Sequence, residues 1–310
     1  MTDILKTSSS PHIRAGTSTE RIMSIVVFSL IPCLVAGTYF FGLRALTVCL
    51  VCTLSAVVSE LFFCKILGHS GERDISSVVT GLLLGLSLPV GIPVWQAAFG
   101  GVISTGIFKQ ALGGIGKNPV NPAIAARVVM LLSFSAMATY QLPRGVEVMS
   151  GATPLSILKS GESFGIRELF FGIHGGCIGE TCCAAILAGF VILLATGVIS
   201  PHVTVFYMGT VFLTSLFYEN GDVLLAIEWC LAGSALFGAV YMVTDYVSSP
   251  TTRLGQAVYG ALCGFLTCVI RLYGTYPEGV SFALLLGNFA VPFIDSATVK
   301  KVFGVKKEKL

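Results

Sequence analysis

The chain has 310 residues, of which 54% are hydrophobic and only 11% are charged. A soluble domain carries about 25% charged residues, so this composition excludes an ordinary soluble protein and predicts one with several membrane-spanning segments. The formal net charge is only +3. Because the basic residues do not concentrate on one predicted face, we expect no binding to nucleic acid.

Ten apolar stretches of about spanning length follow one another along the chain. Five precede a polar interval, at about Arg21–Phe41, Leu43–Ile66, Ile75–Pro89, Pro93–Leu112 and Val120–Tyr140. Five more follow it, at about Cys182–Ile199, Val203–Tyr218, Val223–Val243, Leu254–Tyr273 and Val280–Val299. The predicted fold is therefore an all-α integral membrane protein with about ten transmembrane helices, five on each side of the polar interval.

The distribution of lysine and arginine predicts the orientation of these helices. Basic residues occur in a tail of residues 1–20, in the loop that carries Lys65 and Arg73, and in a lysine-rich tail of residues 300–310. By the positive-inside rule, both tails are expected in the cytoplasm, as parts of a multi-pass protein of the cell (inner) membrane. The expected division of the rest is a first five-helix repeat, an external loop and a second five-helix repeat, at residues 21–140, 141–181 and 182–299.

A faint internal repeat relates the two halves of the chain. Val79-Thr80 is followed by a proline, a glutamine and a glycine, and the same order follows Val243-Thr244. Since five is an odd number, two five-helix repeats are expected to be inverted relative to each other. Inverted repeats with broken or re-entrant helices place their binding sites near the middle of the bilayer.

Two polar segments interrupt the apolar pattern. Residues 113–122 are rich in glycine, asparagine and proline and include Lys117 and Asn118. They form either an ordinary connector or a re-entrant half-helix whose amide end faces an anionic ligand. The second segment contains Thr244 and Asp245, and it is either a loop or a set of oxygen ligands for a cation or a proton.

One carboxylate falls deep inside an apolar stretch. Glu60 is a functional candidate for that reason, although it is placed equally well to extend toward the surface near Lys65. The residues predicted to form an ion pathway are therefore Asn121, Thr244, Asp245 and Glu60. Cys49 and Cys52 lie within an apolar stretch and are expected to pack as small hydrophobic residues. The four histidines are scattered and predict no metal site.

The external loop contains the segment Glu147-Val-Met-Ser150-Gly151-Ala152-Thr153-Pro154. It is either a small polar turn or a modification site, because a bulky donor can approach a hydroxyl that lies between small residues. The segment resembles the flavinylation motif D-x-x-S-G-A-T (or -S). That motif belongs to the D subunit of Rnf-type ferredoxin:NAD oxidoreductases and to the related B subunit of sodium-translocating NADH:quinone oxidoreductases.

The resemblance covers most of the chain. It includes Gly116-Lys117-Asn118-Pro-Val-Asn121-Pro122, then Gly179-Glu180-Thr181, then Thr244-Asp245. The length of the chain favours the Rnf-type D subunit. Two positions depart from the family pattern: Glu147 stands where the family usually has aspartate, and Tyr246 stands at a position resembling a family proline.

The resemblance implies a flavoprotein. In this family the threonine that matches Thr153 holds FMN through a phosphoester bond, which a separate flavin transferase installs from FAD. A second, non-covalent flavin (riboflavin or FMN) is compatible with the family. The cofactor-binding residues expected from the resemblance and from the motifs are Thr153, Ser150, Gly151, Ala152, Glu147, Glu180, Lys117 and Asn118.

The resemblance also implies a subunit of an ion-translocating oxidoreductase, with an active site shared with other subunits and no catalytic residue of its own. It relays electrons between ferredoxin and NAD while the complex moves Na+ or H+ across the membrane. The expected partners are other membrane subunits and peripheral iron–sulfur and flavin subunits. The alternative is a secondary transporter or channel for a small polar solute without a redox role, because a fold alone does not give a function.

Overall fold

A computed structural model describes residues 18–67, 75–114, 116–143, 153–274 and 279–299. Within these ranges the protein is built from helices, and its β-type pairing is an isolated bridge between Pro89 and Cys177. The predicted all-α fold class is confirmed for the described part of the chain.

Each of the ten predicted apolar stretches contains a helix. Before the loop these are α1 (Thr19–Phe41), α2 (Leu43–Leu67), α3 (Ser76–Leu86), α4 (Val94–Val102) and α5 (Pro122–Ser133). The loop contributes α6 (Pro154–Lys159) and α7 (Ile166–Phe171). After it come α8 (Cys183–Ala195), α9 (Pro201–Tyr218), α10 (Val223–Leu231), α11 (Ala235–Phe237), α12 (Arg253–Tyr273) and α13 (Val280–Thr298). Two π-helices continue α4 and α11, over Ile103–Gln110 and Gly238–Met242, and a 3-10 turn, Ser135–Ala138, follows α5.

The helices differ in their ability to cross a bilayer. Among the described residues, α1, α2, α12 and α13 are long and apolar enough to do so. α10 and the extended α11 form a fifth apolar span if they count as one, although the chain bends by 66° between them. α3, α5 and α8 have only 11, 12 and 13 residues, fewer than the roughly 20 of a full span. The chain is thus a multi-pass membrane protein that combines long helices with short ones.

Local sequence explains where the short helix α5 begins. Gly113, Gly114 and Gly116 have φ values of +112°, +87° and +80°, which glycine adopts without strain, so the chain turns sharply after the first π-helix. Asn121 then caps α5, accepting hydrogen bonds from the amides of the second and third residues beyond it, and Pro122 occupies the first helical position.

α2 packs closely against α3 and α4 because glycines face it. A Cβ atom at Gly81 would lie 2.7 Å from the Cα atom of Thr53, and one at Gly101 would lie 2.4 Å from the carbonyl oxygen of Cys52. Cys49 and Cys52 are only 1% and 0% exposed in this contact. Their predicted packing role is confirmed, since small residues permit such close approach between membrane helices.

Two pockets lie at opposite ends of the helix bundle. The Asp245 cavity has walls that include Ser76, Lys109, Asn118, Asn121, Thr244 and Asp245. The Thr153 pocket has walls that include Tyr140, Thr153, His174, Gly175, Glu180 and Gly233. α1 connects the two ends: Ile22 near its start lines the cavity, and Gly37 near its end contacts Ile178 in the loop that borders the pocket.

Candidate functional site

Thr153 lies at the first turn of α6. Its Oγ1 atom accepts a long hydrogen bond of 3.4 Å from the Ser156 amide, and the side chain is partly exposed. Three glycines, Gly175, Gly176 and Gly233, contribute to the pocket around it. The hydroxyl is therefore accessible and weakly held. The other predicted motif residues, Glu147, Ser150, Gly151 and Ala152, lie outside the described residues.

Glu180 lies in the same pocket as Thr153. Its carboxylate, in a residue only 2% exposed, accepts a hydrogen bond of 2.5 Å from the guanidinium of Arg127 on α5, which also donates to the Cys177 thiol at 3.3 Å. A buried charge needs a partner of opposite sign, and this ion pair supplies it. The structure thus brings Glu180 and Thr153 together and adds Arg127 behind them.

His174 is the part of the pocket that the sequence did not reveal. The residue is 3% exposed, and its Nδ1 atom lies 3.1 Å from the carbonyl oxygen of Gly175. Since a carbonyl only accepts, Nδ1 carries the proton and Nε2 of the neutral ring is an acceptor. Nε2 has no hydrogen-bond partner among the described residues. Burial lowers the pKa of His174, opposed by its backbone hydrogen bonds. A single histidine in a polar loop has no periodic signal that would have identified it.

A buried carboxylate fastens the segment that carries Thr153. Glu228 of α10 is only 2% exposed. Its carboxylate accepts hydrogen bonds from Ser163 Oγ at 2.6 Å and from the amides of Phe164 and Gly165 at 2.9 and 3.2 Å. These contacts hold the turn between α6 and α7 against α10.

An arginine completes this end of the bundle. Arg271 of α12 is fully buried and donates to the carbonyl oxygens of Trp229 and Ala232, both at 2.9 Å. It thereby satisfies carbonyls that the end of α10 leaves without helical partners. A small apolar cluster surrounds these groups, formed by Leu155, Leu158, Leu169, Trp229 and Ala232.

The Asp245 cavity, of about 110 Å³, brings together three of the four predicted ion-pathway residues. The Asp245 carboxylate accepts hydrogen bonds from Asn121 Nδ2 at 3.3 Å and Ser248 Oγ at 2.9 Å. Thr244 lines the cavity beside it and donates to the Val240 carbonyl. The amide end of α5 thus faces a carboxylate through its own asparagine cap, rather than an open anion site.

Glu60 does not extend toward Lys65. The residue is 8% exposed, and its carboxylate forms an ion pair with Lys109 and accepts a hydrogen bond of 2.8 Å from Gln110. The surface alternative is therefore wrong. Lys109 also donates to Ser76 Oγ at 2.6 Å and lines the Asp245 cavity, so Glu60 stands directly behind the cavity wall.

Lys117 and Asn118, predicted to bind a cofactor, lie far from Thr153. Asn118 borders the Asp245 cavity, and its amide, oriented by its hydrogen-bond partners, donates to the carbonyls of Gly114 and Lys109. Lys117 is exposed. The structure therefore divides the predicted site residues between two pockets.

Comparisons with known proteins agree with the resemblance seen in the sequence. A sequence model of the NQR2, RnfD, RnfE family matches residues 6–304. The chain is 40% identical over 313 residues to the D subunit of the Na(+)-translocating ferredoxin:NAD(+) oxidoreductase complex of Acetobacterium woodii, covering 98% of this chain and 97% of that protein. It is 36% identical over 323 residues to the D subunit of the proton-translocating ferredoxin:NAD(+) oxidoreductase complex of Clostridium ljungdahlii, covering 98% of each chain.

A third relative is more distant. The D subunit of the ion-translocating oxidoreductase complex of Cronobacter sakazakii is 32% identical over 349 residues, which cover 97% of this chain and 99% of that protein. Nearly full-length matches at these identities are too extensive to reflect one shared motif. This chain therefore belongs to the NQR2, RnfD, RnfE family.

Proposed function

We propose that the chain is the flavin-carrying membrane subunit of a complex that transfers electrons between ferredoxin and NAD+ and moves Na+ or H+ across the cell membrane. The observation that carries the proposal is the Thr153 pocket, where an accessible threonine hydroxyl lies beside Glu180 and His174. Relatives of nearly the same length are named as subunits of such complexes. The proposed partners are the other membrane subunits and the peripheral iron–sulfur and flavin subunits.

The proposed modification is FMN attached to Thr153 by a phosphoester bond. The pocket, of about 20 Å³, holds a group the size of one or two water molecules. It thus suits a phosphoryl group, with the flavin ring outside the pocket. Bound FMN would supply the electron-carrying chemistry, and the protein would position and tune it.

Each residue near Thr153 has a proposed part in this site. The Glu180–Arg127 ion pair fixes the floor of the pocket, and Glu228 holds the turn that follows α6. Glu147, Ser150, Gly151 and Ala152 would form the segment that the flavin transferase reads. No residue of this chain is assigned a catalytic role, because the bound FMN would carry the electrons and would exchange them with groups of the partner subunits.

We propose the Asp245 cavity as part of the ion pathway. Burial raises the pKa of the Asp245 carboxyl, while hydrogen bonds from Ser248 and Asn121 oppose the rise. A carboxyl of this kind exchanges a proton or a monovalent cation more readily than one fixed by an ion pair. Thr244 would add a neutral oxygen ligand, and Asn121 would hold the carboxylate in place through its Nδ2 hydrogen bond. Glu60 would act behind the cavity wall through Lys109.

The same cavity is the proposed place for a second, non-covalent flavin, riboflavin or FMN. Its lining combines apolar side chains with polar ones, among them Thr80 and Thr244. Ligand pockets usually measure about 300–1,000 Å³. A flavin would therefore have to extend out of this smaller cavity. Tyr246, which lines the cavity, is exposed, and the exposed Lys117 directly precedes the lining residue Asn118.

The proposed architecture is ten helices in two inverted five-helix repeats, residues 21–140 and 182–299. Two π-helices support it, since each is followed by a polar turn that lines the Asp245 cavity. Those turns carry Asn118 and Asn121 in the first half and Thr244 and Asp245 in the second. The cavity would face the cytoplasm with both chain termini, and the Thr153 pocket would face outward with residues 141–181.

In-gel fluorescence tests this proposal. The protein, expressed in a host that carries the flavin transferase, is separated on a denaturing gel and viewed under ultraviolet light. We expect a fluorescent wild-type band, a dark Thr153→Ala band and a fluorescent Ser156→Ala band, since Ser156 offers a matched hydroxyl one turn away. A dark wild-type band would overturn the flavin role and leave the alternative of a transporter or channel without redox activity.

A further inference from the structure

One residue of the Thr153 pocket, His174, has a ring nitrogen without a hydrogen-bond partner among the described residues. His174 is 3% exposed, yet its Nε2 atom lacks a hydrogen-bond partner among the described residues. Buried polar atoms are nearly always paired, and an orphan of this kind needs an explanation. Because His174 shares the walls of the pocket with Thr153, the explanation is a group attached to Thr153.

The charges around the pocket define the chemistry of that group. Glu180 contributes a negative charge, and Arg127 behind it contributes a positive one, so the pair leaves the pocket close to neutral. Tyr140 is the other titratable side chain in the walls. Behind His174, the ring of Phe164 packs edge-on at 6.0 Å, and the amide of Phe164 is held by Glu228.

An anion added to this pocket has one natural counter-charge. Among the described residues that line the pocket, His174 is the group that can gain a positive charge. A phosphodiester carries one negative charge and accepts strong, charge-assisted hydrogen bonds. The imidazole ring would take up one proton from the bulk solvent at Nε2 and, as a cation, donate a hydrogen bond to a phosphate oxygen, while Nδ1 kept its bond to Gly175.

We propose that His174 Nε2 binds the phosphodiester that joins the flavin to Thr153, and that the two groups take up one proton together. This inference rests on the proposed covalent flavin. It assigns His174 as a residue that contacts the cofactor, and it predicts that flavin attachment converts a neutral buried imidazole into a cation.

Nitrogen NMR of the histidine side chains tests the proposal without any measurement of activity. The chain has four histidines, so replacing His12, His69 and His202 by glutamine leaves His174 as the single labelled ring. The midpoint of its titration should be higher in the flavin-bearing protein than in the same protein with Thr153→Ala. Equal midpoints in the two proteins would overturn the proposal.

Two further arms separate the possible outcomes. Inorganic phosphate added to the Thr153→Ala protein should not restore the higher midpoint, because tethering supplies the local concentration; restoration would assign the site to free phosphate instead. Phosphorus NMR of the flavin-bearing protein should show a phosphodiester signal whose position depends on pH. This pH dependence should be lost in His174→Gln and kept in His202→Gln. Intact mass shows independently whether flavin is attached, so failure of the proposed function is distinguishable from failure of this inference.

Discussion

Removing the negative charge of Glu180 should destabilise the protein strongly. Glu180→Gln leaves Arg127, which is 1% exposed, as a buried cation without its carboxylate. Breaking one side of a buried ion pair costs about 3–5 kcal/mol, which lowers the ratio of folded to unfolded protein by roughly a hundredfold to several thousandfold. The double variant Arg127→Met with Glu180→Gln removes both charges, so it should recover most of that loss.

The measurement is the free energy of unfolding of the full chain in detergent micelles, from a denaturant titration followed by circular dichroism. Wild type, both single variants and the double variant form a thermodynamic cycle. Glu162→Gln is a suitable control because Glu162 is exposed. A value for Glu180→Gln within about 1 kcal/mol of wild type would refute the reasoning, as would losses of the two single variants that simply add in the double variant.

Three other predictions concern the turn held by Glu228 and the two pockets. Glu228→Ala removes the acceptor of three hydrogen bonds, each worth about 1.5–3 kcal/mol because the acceptor is charged. Residues 153–171 should therefore become more sensitive to protease in limited digestion, and unchanged digestion would contradict the role of Glu228 in holding this segment. Asp245→Asn should abolish ferredoxin-driven Na+ or H+ uptake in vesicles while the Thr153 band stays fluorescent, and unaltered uptake would remove Asp245 from the pathway. Burial lowers the pKa of His174 in the folded protein without flavin, which Thr153→Ala represents. Below about pH 6.5 the unfolded chain therefore binds a proton at His174 that the folded chain does not, and the free energy of unfolding should fall. Thermal denaturation at about pH 5.5 and 7.5 should show this fall, and His174→Gln should reduce it.

The order and position of the helices were predictable from the sequence because a long apolar stretch indicates a helix suited to the interior of a membrane. Their lengths were less predictable. The stretch Pro93–Leu112 contains α4 and a π-helix, and Val120–Tyr140 contains the short α5 and a 3-10 turn. Proline and glycine mark such breaks, and Gly233, with a φ of +62°, lies in the 66° bend between α10 and α11. The hydrogen bonds from Arg271 to the end of α10 could not be predicted from the sequence, because they join distant segments.

The site was predictable where its chemistry lies in a local motif and unpredictable where it depends on distant pairing. Short motifs predicted Thr153 and Glu180 as candidate residues, and the structure places both in the walls of one pocket. The partner of Glu60 was not, because Lys109 is 49 residues away in the chain and meets it only through the packing of α2 against the first π-helix. His174 was missed for a related reason, since only the folded loop shows that the residue lines the Thr153 pocket and that its Nε2 atom has no hydrogen-bond partner among the described residues.

Mass spectrometry of the native protein tests the central claim most directly. Protein purified from a host with the flavin transferase is digested, and the peptide that contains Thr153 is weighed and fragmented. We predict that this peptide carries one FMN joined through phosphate to the Thr153 oxygen. A peptide recovered wholly unmodified from such a host would contradict the covalent flavin.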